Sequence, residues 1–386
     1  MTSYILVGTF NTPAVFTLAF DPSAGSLEVV AKSEATGAHS WLSLNVRSIY
    51  EENLPTWLTF FIHQSDKTRL YATAWTTPPG LAAYSINRQG SGAPTLKLIN
   101  SVETLARSGY CCNSAVAVYS AGGPTGEVFK IDPTSGGFET EIQKLNFVDQ
   151  EIQVDSGGVM DFGGLRHGAH SADLSPDQRT LYVADIGRNC IFVYAVAEDG
   201  TLTLTDKNIA PRADDGPRHV TPHPNGKIVY SLQEHTSMVD AFEVLEGQKL
   251  AWKQGVKIIP ADMSPKSFWA DEVRVSPGQE YLYASTRGLE PSEKGWVAVF
   301  PLLPSGQIAA EEPVALWETP TSGGWANAVE PSPLSTLKDG SGIDYITLTD
   351  SDEGLVLVLS WDGREIKEVA RTKLDGGAGA ATAVWL

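Results

Sequence analysis

The chain of 386 residues carries 46 acidic against 28 basic side chains, a formal net charge of −18. No run of Lys or Arg offsets that charge locally, which excludes a nucleic-acid or anionic-membrane partner, since both need a concentrated basic surface. Three cysteines, Cys111, Cys112 and Cys190, are an odd number in so long a chain and point to a reducing compartment rather than a disulfide framework.

The first segment, MTSYILVGTF, has no basic n-region and no long apolar stretch, so neither a signal peptide nor a transmembrane helix is expected and a cytoplasmic protein is predicted. Three short strands follow: YILVGTF, AVFTLAF and LEVVAKS. Weak copies of a strand-rich unit then run from SWLSLN to TLKLINS and from about Asn113 to Phe147. The unit becomes plain in AHSADLSPDQRTLYVADIGRNCIFVYAV, GPRHVTPHPNGKIVYSLQEHTSMVDAFEV and DEVRVSPGQEYLYASTRG with WVAVF. These superimpose on the turn prolines Pro176, Pro224 and Pro277, and the same offsets align Tyr182, Tyr230 and Tyr283. Pro224-Asn225-Gly226 is strong turn chemistry, and Ile228, Val229 and Tyr230 are β-formers that continue from it. WANAVEPSPLS with DYITLTDSDEGLVLVLSW is a looser copy.

A period of about 50 residues built only of short strands is the signature of propeller blades. The N-terminal strands make three of a blade's four, and the C-terminal AATAVWL resembles the missing inner one. The prediction is an all-β, seven-bladed β-propeller, one domain over residues 1–386, closed by the C-terminal strand pairing with the N-terminal strands. Such closure removes the open sheet edges that a linear array exposes.

The alignment also selects a site. Six residues before each turn proline stand His170, Arg218, Asp271 and, counting from Pro331, Trp325. They begin the innermost strands and should ring one mouth of the central channel. Four residues after each aligned tyrosine stand Ile186, Glu234 and Arg287, on strands running back to the same mouth. Polar groups converging on one concavity suit a binding or catalytic pocket, although a buried Arg-Glu-Arg cluster can equally be a structural network in a wet channel. His219 and His223, at i, i+4, have strand-compatible spacing for a metal, but no third ligand is evident. Cys111-Cys112 lacks a matching Cys-x-x-Cys or His and reads as packing. Neither a Gly-rich phosphate loop nor a Ser nucleophile elbow is present.

At these residues a family resemblance emerges. GPRH…HPNGK…Y, SPDQRTLYVADIG and ASTRG resemble the seven-bladed lactonase family that includes bacterial-type 6-phosphogluconolactonases. GTFNTPAVFTLAFD, TPTSGGWANAVEPSP, TDSDEG and VAR…AVWL resemble its fungal branch, the 3-carboxy-cis,cis-muconate lactonising enzymes (carboxymuconate cyclases). The resemblance implies catalytic roles for His170 in GAHSA, Arg218 in GPRH, Glu234 in LQEH and Arg287 in STRG. Asp271 and His219 are expected beside them as substrate-binding groups. In such chemistry a carboxylate oxygen adds across a conjugated double bond and the carbon alpha to the activating carboxylate is protonated. The arginines would hold carboxylate and enolate charge, and Glu234 or His170 would be the acid; no metal and no cofactor is expected.

The chain departs from that branch at two places. Ser108-Gly109-Tyr110-Cys111 replaces a His-Pro-Arg stretch, and Trp325 replaces a His. Trp325 and Tyr110 are therefore expected as aromatic substrate-binding walls at the mouth, with the neutral Ile186 pointing the same way, toward a larger and less charged substrate. Three functions follow from the sequence: a muconate-type cycloisomerase, another ring closure such as a hetero-Diels-Alder-type cyclase of secondary metabolism, or a non-enzymatic binding platform. The inward-facing His-Arg-Glu-Arg set disfavours the platform, and sugar-phosphate lactone hydrolysis is a weaker option. The partner in the enzymatic readings is a small-molecule substrate.

Overall fold

The computed structural model describes residues 2–45, 47–48, 63–64, 67–88, 92–148, 168–333 and 342–386. These residues form seven four-stranded antiparallel sheets and a two-stranded pair, Arg47–Ser48 with His63–Gln64. Apart from three short 3-10 turns there is no helix among them. The molecule is an all-β, seven-bladed propeller, as the repeats predict. Blade 3 starts slightly earlier than its sequence copy suggests, with its inner strand at Tyr110–Asn113. Residues 49–62 of the second copy lie outside the described residues.

The inner strands of blades 1 to 7 are Ala380–Trp385, Leu42–Leu44, Tyr110–Asn113, Ala169–Leu174, Pro217–Pro222, Phe268–Val275 and Val329–Pro331. Each touches the next, and the last touches the first, so they surround one axial channel. The blades are repeats in detail as well as in outline. Two residues after each aligned proline the backbone is left-handed, at Gln178 (φ 57°), Gly226 (φ 71°) and Gln279 (φ 63°). The three turns close alike, with Gln178, Gly226 and Gln279 donating their N–H to the carbonyls of Ser175, His223 and Ser276 at 2.8 to 2.9 Å. The aligned tyrosines are all buried. Between blades, the outward and inward faces of alternating Val, Ile, Leu, Tyr and Phe pack sheet on sheet, so each core cluster draws from adjacent blades.

Closure follows the predicted scheme. Ser3–Thr9 pairs on one side with Ala14–Asp21 and on the other with Ala380–Trp385, through Ile5 with Trp385 and Val7 with Ala383. Trp385 is buried against Phe20, ring centroids 6.0 Å apart, and its indole N–H donates to the Glu330 carbonyl of blade 7 at 3.0 Å. The last strand thus stitches blade 1 to itself and to its neighbour. Deleting residues 380–386 is expected to drive the protein into the insoluble fraction. The milder Trp385→Ala should cost about 3–5 kcal/mol in denaturant unfolding, the usual loss for a buried Trp; a soluble truncation of unchanged stability would refute closure by this strand.

Candidate functional site

The site begins with a repeated irregularity. In blade 4, Ala169 pairs with Asp185 and Ser171 with Ala184; in blade 5, Pro217 with Gln233 and His219 with Leu232; in blade 6, Ala270 with Thr286 and Glu272 with Ser285. The residues left over are His170, Arg218 and Asp271. A one-residue bulge breaks the in-out alternation of a strand and re-aims a side chain, here into the channel. Blade 1 repeats the device, with Ala381 and Thr382 set opposite the single residue Gly8.

The bulged residues line a cavity of ≈ 340 Å³ at one end of the channel, together with Ile186, Glu234 and Arg287 from the second strands. Glu234 sits between the two arginines, its Oε1 3.4 Å from Arg218 Nε and 3.4 Å from Arg287 Nη2. Arg218 Nη2 lies 2.7 Å from Asp271 Oδ1, off the line of a hydrogen bond, and Arg218 Nη1 donates to the Asp271 carbonyl. Asp271 Oδ2 accepts from the Asn327 backbone N–H. Arg287 donates to the Gly324 carbonyl at 3.0 Å and lies over Trp269, 4.9 Å from its ring centroid. Two guanidinium groups thus face two carboxyl groups, and the formal charges of the set cancel.

His170 is buried with its Nδ1 unpartnered. Burial, then the positive charge of Arg218 and Arg287 and the neighbouring His219 ring, drives its pKa well below the ordinary histidine value, so the ring is neutral at neutral pH. The expectation of a protonated His170 as acid does not hold for this pocket; a neutral imidazole can donate one hydrogen bond and accept another. The tetrapeptide Gly-Ala-His-Ser occurs twice, and its other histidine, His39, is satisfied away from the cavity, by the Thr73 carbonyl at 2.6 Å and the Tyr84 hydroxyl at 2.7 Å.

Trp325 stands at the mouth, 55% exposed. It forms an aromatic wall with Phe10 and Trp75, ring centroids 6.0 and 6.4 Å away. Tyr110 does not join it, and the sequence expectation is corrected here. Gly109 takes the cavity position, while the Tyr110 ring turns below the floor, stacks on Trp41 at 3.8 Å and donates its hydroxyl to Asp173 Oδ1 at 2.5 Å. Trp41, Tyr110 and His219 make a septum across the channel. Beneath it lies a second cavity of ≈ 420 Å³ that includes Asp173, Arg274 and Glu330. His219 is in the floor with both ring nitrogens engaged, by Glu272 Oε1 at 2.7 Å and Arg218 Nη1 at 3.2 Å, rather than free to bind substrate. His223 faces its own turn, its Nδ1 accepting from the Asn225 N–H at 3.1 Å. Among the described residues, no group of three or more His, Cys, Asp or Glu is placed to hold a metal ion. Cys111 is buried and its thiol is pushed up to about 12 by desolvation, which makes it packing.

Sequence reasoning missed Phe10, Trp41, Trp75 and Trp269 as lining residues and Glu272 and Arg274 as their support. Trp41 alone carried a signal, since it follows the repeated Gly-Ala-His-Ser.

Fold and cavity together define a seven-bladed propeller whose channel holds a pocket with two arginines and two carboxyl groups at its centre and aromatic residues at its mouth. The chain belongs to the lactonase family of seven-bladed β-propellers: the profile described as "Lactonase, 7-bladed beta-propeller" matches residues 4–320. The chain is 44% identical over 363 residues to Muconate cycloisomerase 1 of Cutaneotrichosporon cutaneum, covering 93% of this chain and 91% of that protein. It is 24% identical over 405 residues to the carboxy-cis,cis-muconate cyclase of Neurospora crassa, covering 99% and 98%. Among solved structures, the fold matches a Bacteroides uniformis protein provisionally described as a 6-phosphogluconolactonase, with a TM-score of 0.76, 19% identity and coverage of 100% and 99%. It also matches the periplasmic gluconolactonase of Pseudomonas aeruginosa, with a TM-score of 0.75, 17% identity and coverage of 100% and 99%. No helix among the described residues is long and apolar enough to cross a membrane.

The septum provides a pH test. Burial lifts the Asp173 carboxyl to about 7, against the smaller downward pull of Arg274 and of its hydrogen bond from Tyr110. A raised carboxyl stabilises the fold fully below its unfolded pKa, and that contribution is lost as pH rises through the folded value. Asp173→Asn removes the titration and keeps an acceptor for Tyr110. Its melting temperature relative to the wild type should therefore climb from pH 5 to about pH 7 and level off by pH 8; a pH-independent difference would show that Asp173 is not held protonated.

Proposed function

We propose that the protein is a ring-closing isomerase that forms a lactone from an unsaturated carboxylate. The observation that carries this reading is the Glu234 carboxyl held between Arg218 and Arg287 in the channel pocket. The names of the two muconate-acting relatives support the reaction class.

In the proposed step a substrate carboxylate oxygen adds to the distal end of a conjugated double bond. The new C–O bond takes the carboxylate's electron pair, and the displaced π pair moves through the conjugated system onto the activating carboxylate as an enolate. Arg218 and Arg287 stabilise that oxygen charge as it develops, which is where preorganised donors lower a barrier most. Displaced from the arginines by the substrate, the Glu234 carboxylate takes up a proton from solvent at the open mouth and passes it to the alpha carbon, which leaves the carboxylate free to return between the guanidinium groups. The neutral His170 orients the substrate through a hydrogen bond rather than supplying an imidazolium proton.

A second reading has an observation of its own. The formal charges of the four central groups cancel, and Phe10, Trp75, Trp269, Trp325 and Ile186 give the cavity broad apolar walls. A compact tricarboxylate gains little from such a site, whereas a larger substrate with one polarised oxygen gains dispersion and stacking area. Ring closure by carbonyl polarisation, without carbon protonation, suits that substrate.

Assays with cis,cis-muconate and 3-carboxy-cis,cis-muconate, following loss of diene absorbance and lactone formation by NMR, test the first reading. Glu234→Gln should lower turnover by about 10²- to 10⁴-fold with an unchanged melting temperature. Arg218→Met should raise KM and lower kcat together, because ground and transition states share the contacted oxygen. Full activity in Glu234→Gln with loss in Arg218→Met would reject carbon protonation by Glu234 and favour the second reading. Trp325→His tests the apolar wall: it should weaken binding of an apolar substrate and leave the melting temperature unchanged, whereas a loss of folding would make Trp325 structural.

A further inference from the structure

The upper cavity is connected to the far side of the septum by one unbroken polar chain. Arg218 Nη1 meets His219 Nε2 at 3.2 Å, and His219 Nδ1 meets Glu272 Oε1 at 2.7 Å. The same Oε1 accepts from Arg274 Nη1 at 2.7 Å and from the Val273 N–H at 3.0 Å, and Arg274 Nε donates to Glu330 Oε2 at 2.8 Å. His219 and Glu272 are 2% and 1% exposed, so water does not substitute for either partner.

The direction of these bonds is fixed by chemistry. A guanidinium has only donors, so His219 Nε2 must accept and carry a lone pair. The ring proton is then on Nδ1, where it is donated to Glu272. An Nε2–H tautomer, or an imidazolium, would set a donor against Arg218. Burial and the nearby charges of Arg218 and Arg274, which push His219 well below the ordinary histidine range, act in the same sense.

The consequence is for Arg218. Its Nη1 is fully used, one hydrogen on His219 and the other on the Asp271 carbonyl. That leaves the Nε–Nη2 edge, the side of a guanidinium that binds a carboxylate with two parallel bonds, facing Glu234, Asp271 and the cavity. We propose that Glu272 and His219 are positioning residues. Glu272 keeps the His219 proton on Nδ1, and the Nε2 lone pair pins Arg218 Nη1 so that the carboxylate-binding edge of the guanidinium faces the reacting oxygen. The kinetic part of this proposal rests on the proposed ring closure; the tautomer part does not.

The test has two arms on the full-length protein. Nitrogen-15 NMR of histidine-labelled protein, with His219 assigned by its loss in His219→Phe, should show a neutral ring protonated on Nδ1 from pH 6 to 8. An Nε2–H tautomer or an imidazolium at pH 7 overturns the proposal. In the second arm, kcat/KM for cis,cis-muconate is measured in a double-mutant cycle. His219→Phe keeps the septum filled but removes the acceptor, and should cost about 10- to 100-fold, as for a hydrogen bond to a charged group. His219→Gln, whose carbonyl reaches the Nε2 position, should recover most of that loss. In the Arg218→Met protein, His219→Phe should cost nothing further. A persistent cost there means that His219 touches the substrate itself, and the positioning role fails. If cis,cis-muconate is not turned over at all, the proposed ring closure on such diacids fails, and the NMR arm still decides the tautomer.

Discussion

The structure depends on one constraint applied repeatedly: a propeller's inner strand has to form a ladder with its blade and also supply the wall of the channel. A regular strand alternates faces, so its channel end presents whatever the register dictates. The extra residue at His170, Arg218 and Asp271 relieves that conflict. The ladder resumes on either side, and the bulged side chain turns to the axis. Because adjacent blades carry the bulge at the same height, three polar groups from three blades meet without any long loop. Precision comes from paired strands, which position a site more tightly than surface loops do.

Burying such a set requires compensation, and the pocket supplies it internally. Arg218, Arg287, Glu234 and Asp271 cancel in formal charge, and the two histidines that line the cavity, His170 and His219, are neutral because burial and the arginines oppose a further cation. Backbone carbonyls of Asp271 and Gly324 take additional guanidinium hydrogens. The 3.4 Å separations between Glu234 and both arginines are longer than good charge-assisted hydrogen bonds, which run about 2.7–2.9 Å. The carboxyl has three near partners, the two arginines at Oε1 and His235 Nε2 at 3.5 Å from Oε2, and is saturated by none of them. That is a suitable ground state for a group that must exchange partners when a ligand arrives.

Much of this was legible in the sequence because repeats translate distance along the chain into position in space. The turn prolines and buried tyrosines set a common frame, and counting from them found the residues that now share one cavity. The frame failed where a residue identity, rather than a position, was used. The resemblance implies an aromatic wall at Tyr110, but Gly109 occupies the wall, and a ring on the next residue necessarily turns to the other face of the strand. His219 is expected as a substrate-binding group beside Arg218, but its partner in space, Glu272, lies 53 residues away along the chain, where no sequence offset connects the two. Bulges leave no mark in a single sequence, since one extra residue changes no local propensity. The aromatic wall of Phe10, Trp75 and Trp325 draws on blades distant in the chain, and no repeat offset connects them.

The septum completes the argument about what the pocket can select. Trp41 stacked on Tyr110, with His219 edge-on to both, stands between the two cavities among the described residues, and the exposed Trp325 stands at the mouth of the upper one. A ligand seated on that floor is surrounded by aromatic and aliphatic walls, where Coulomb terms are stronger than in water. In a low-dielectric pocket whose own charges already cancel, each uncompensated charge on the ligand carries its full desolvation cost. One carboxylate or one enolate-like oxygen can replace Glu234 at the guanidinium edges, and the exchange keeps the count of anions at the arginines unchanged. Among the described residues lining the cavity, a second or third carboxylate finds no cation beyond Arg218 and Arg287. On charge balance the second proposed reading, a substrate with a single anionic or polarised oxygen, is therefore better matched than the diacid of the first, and the aromatic mouth would set how much apolar body that oxygen brings with it.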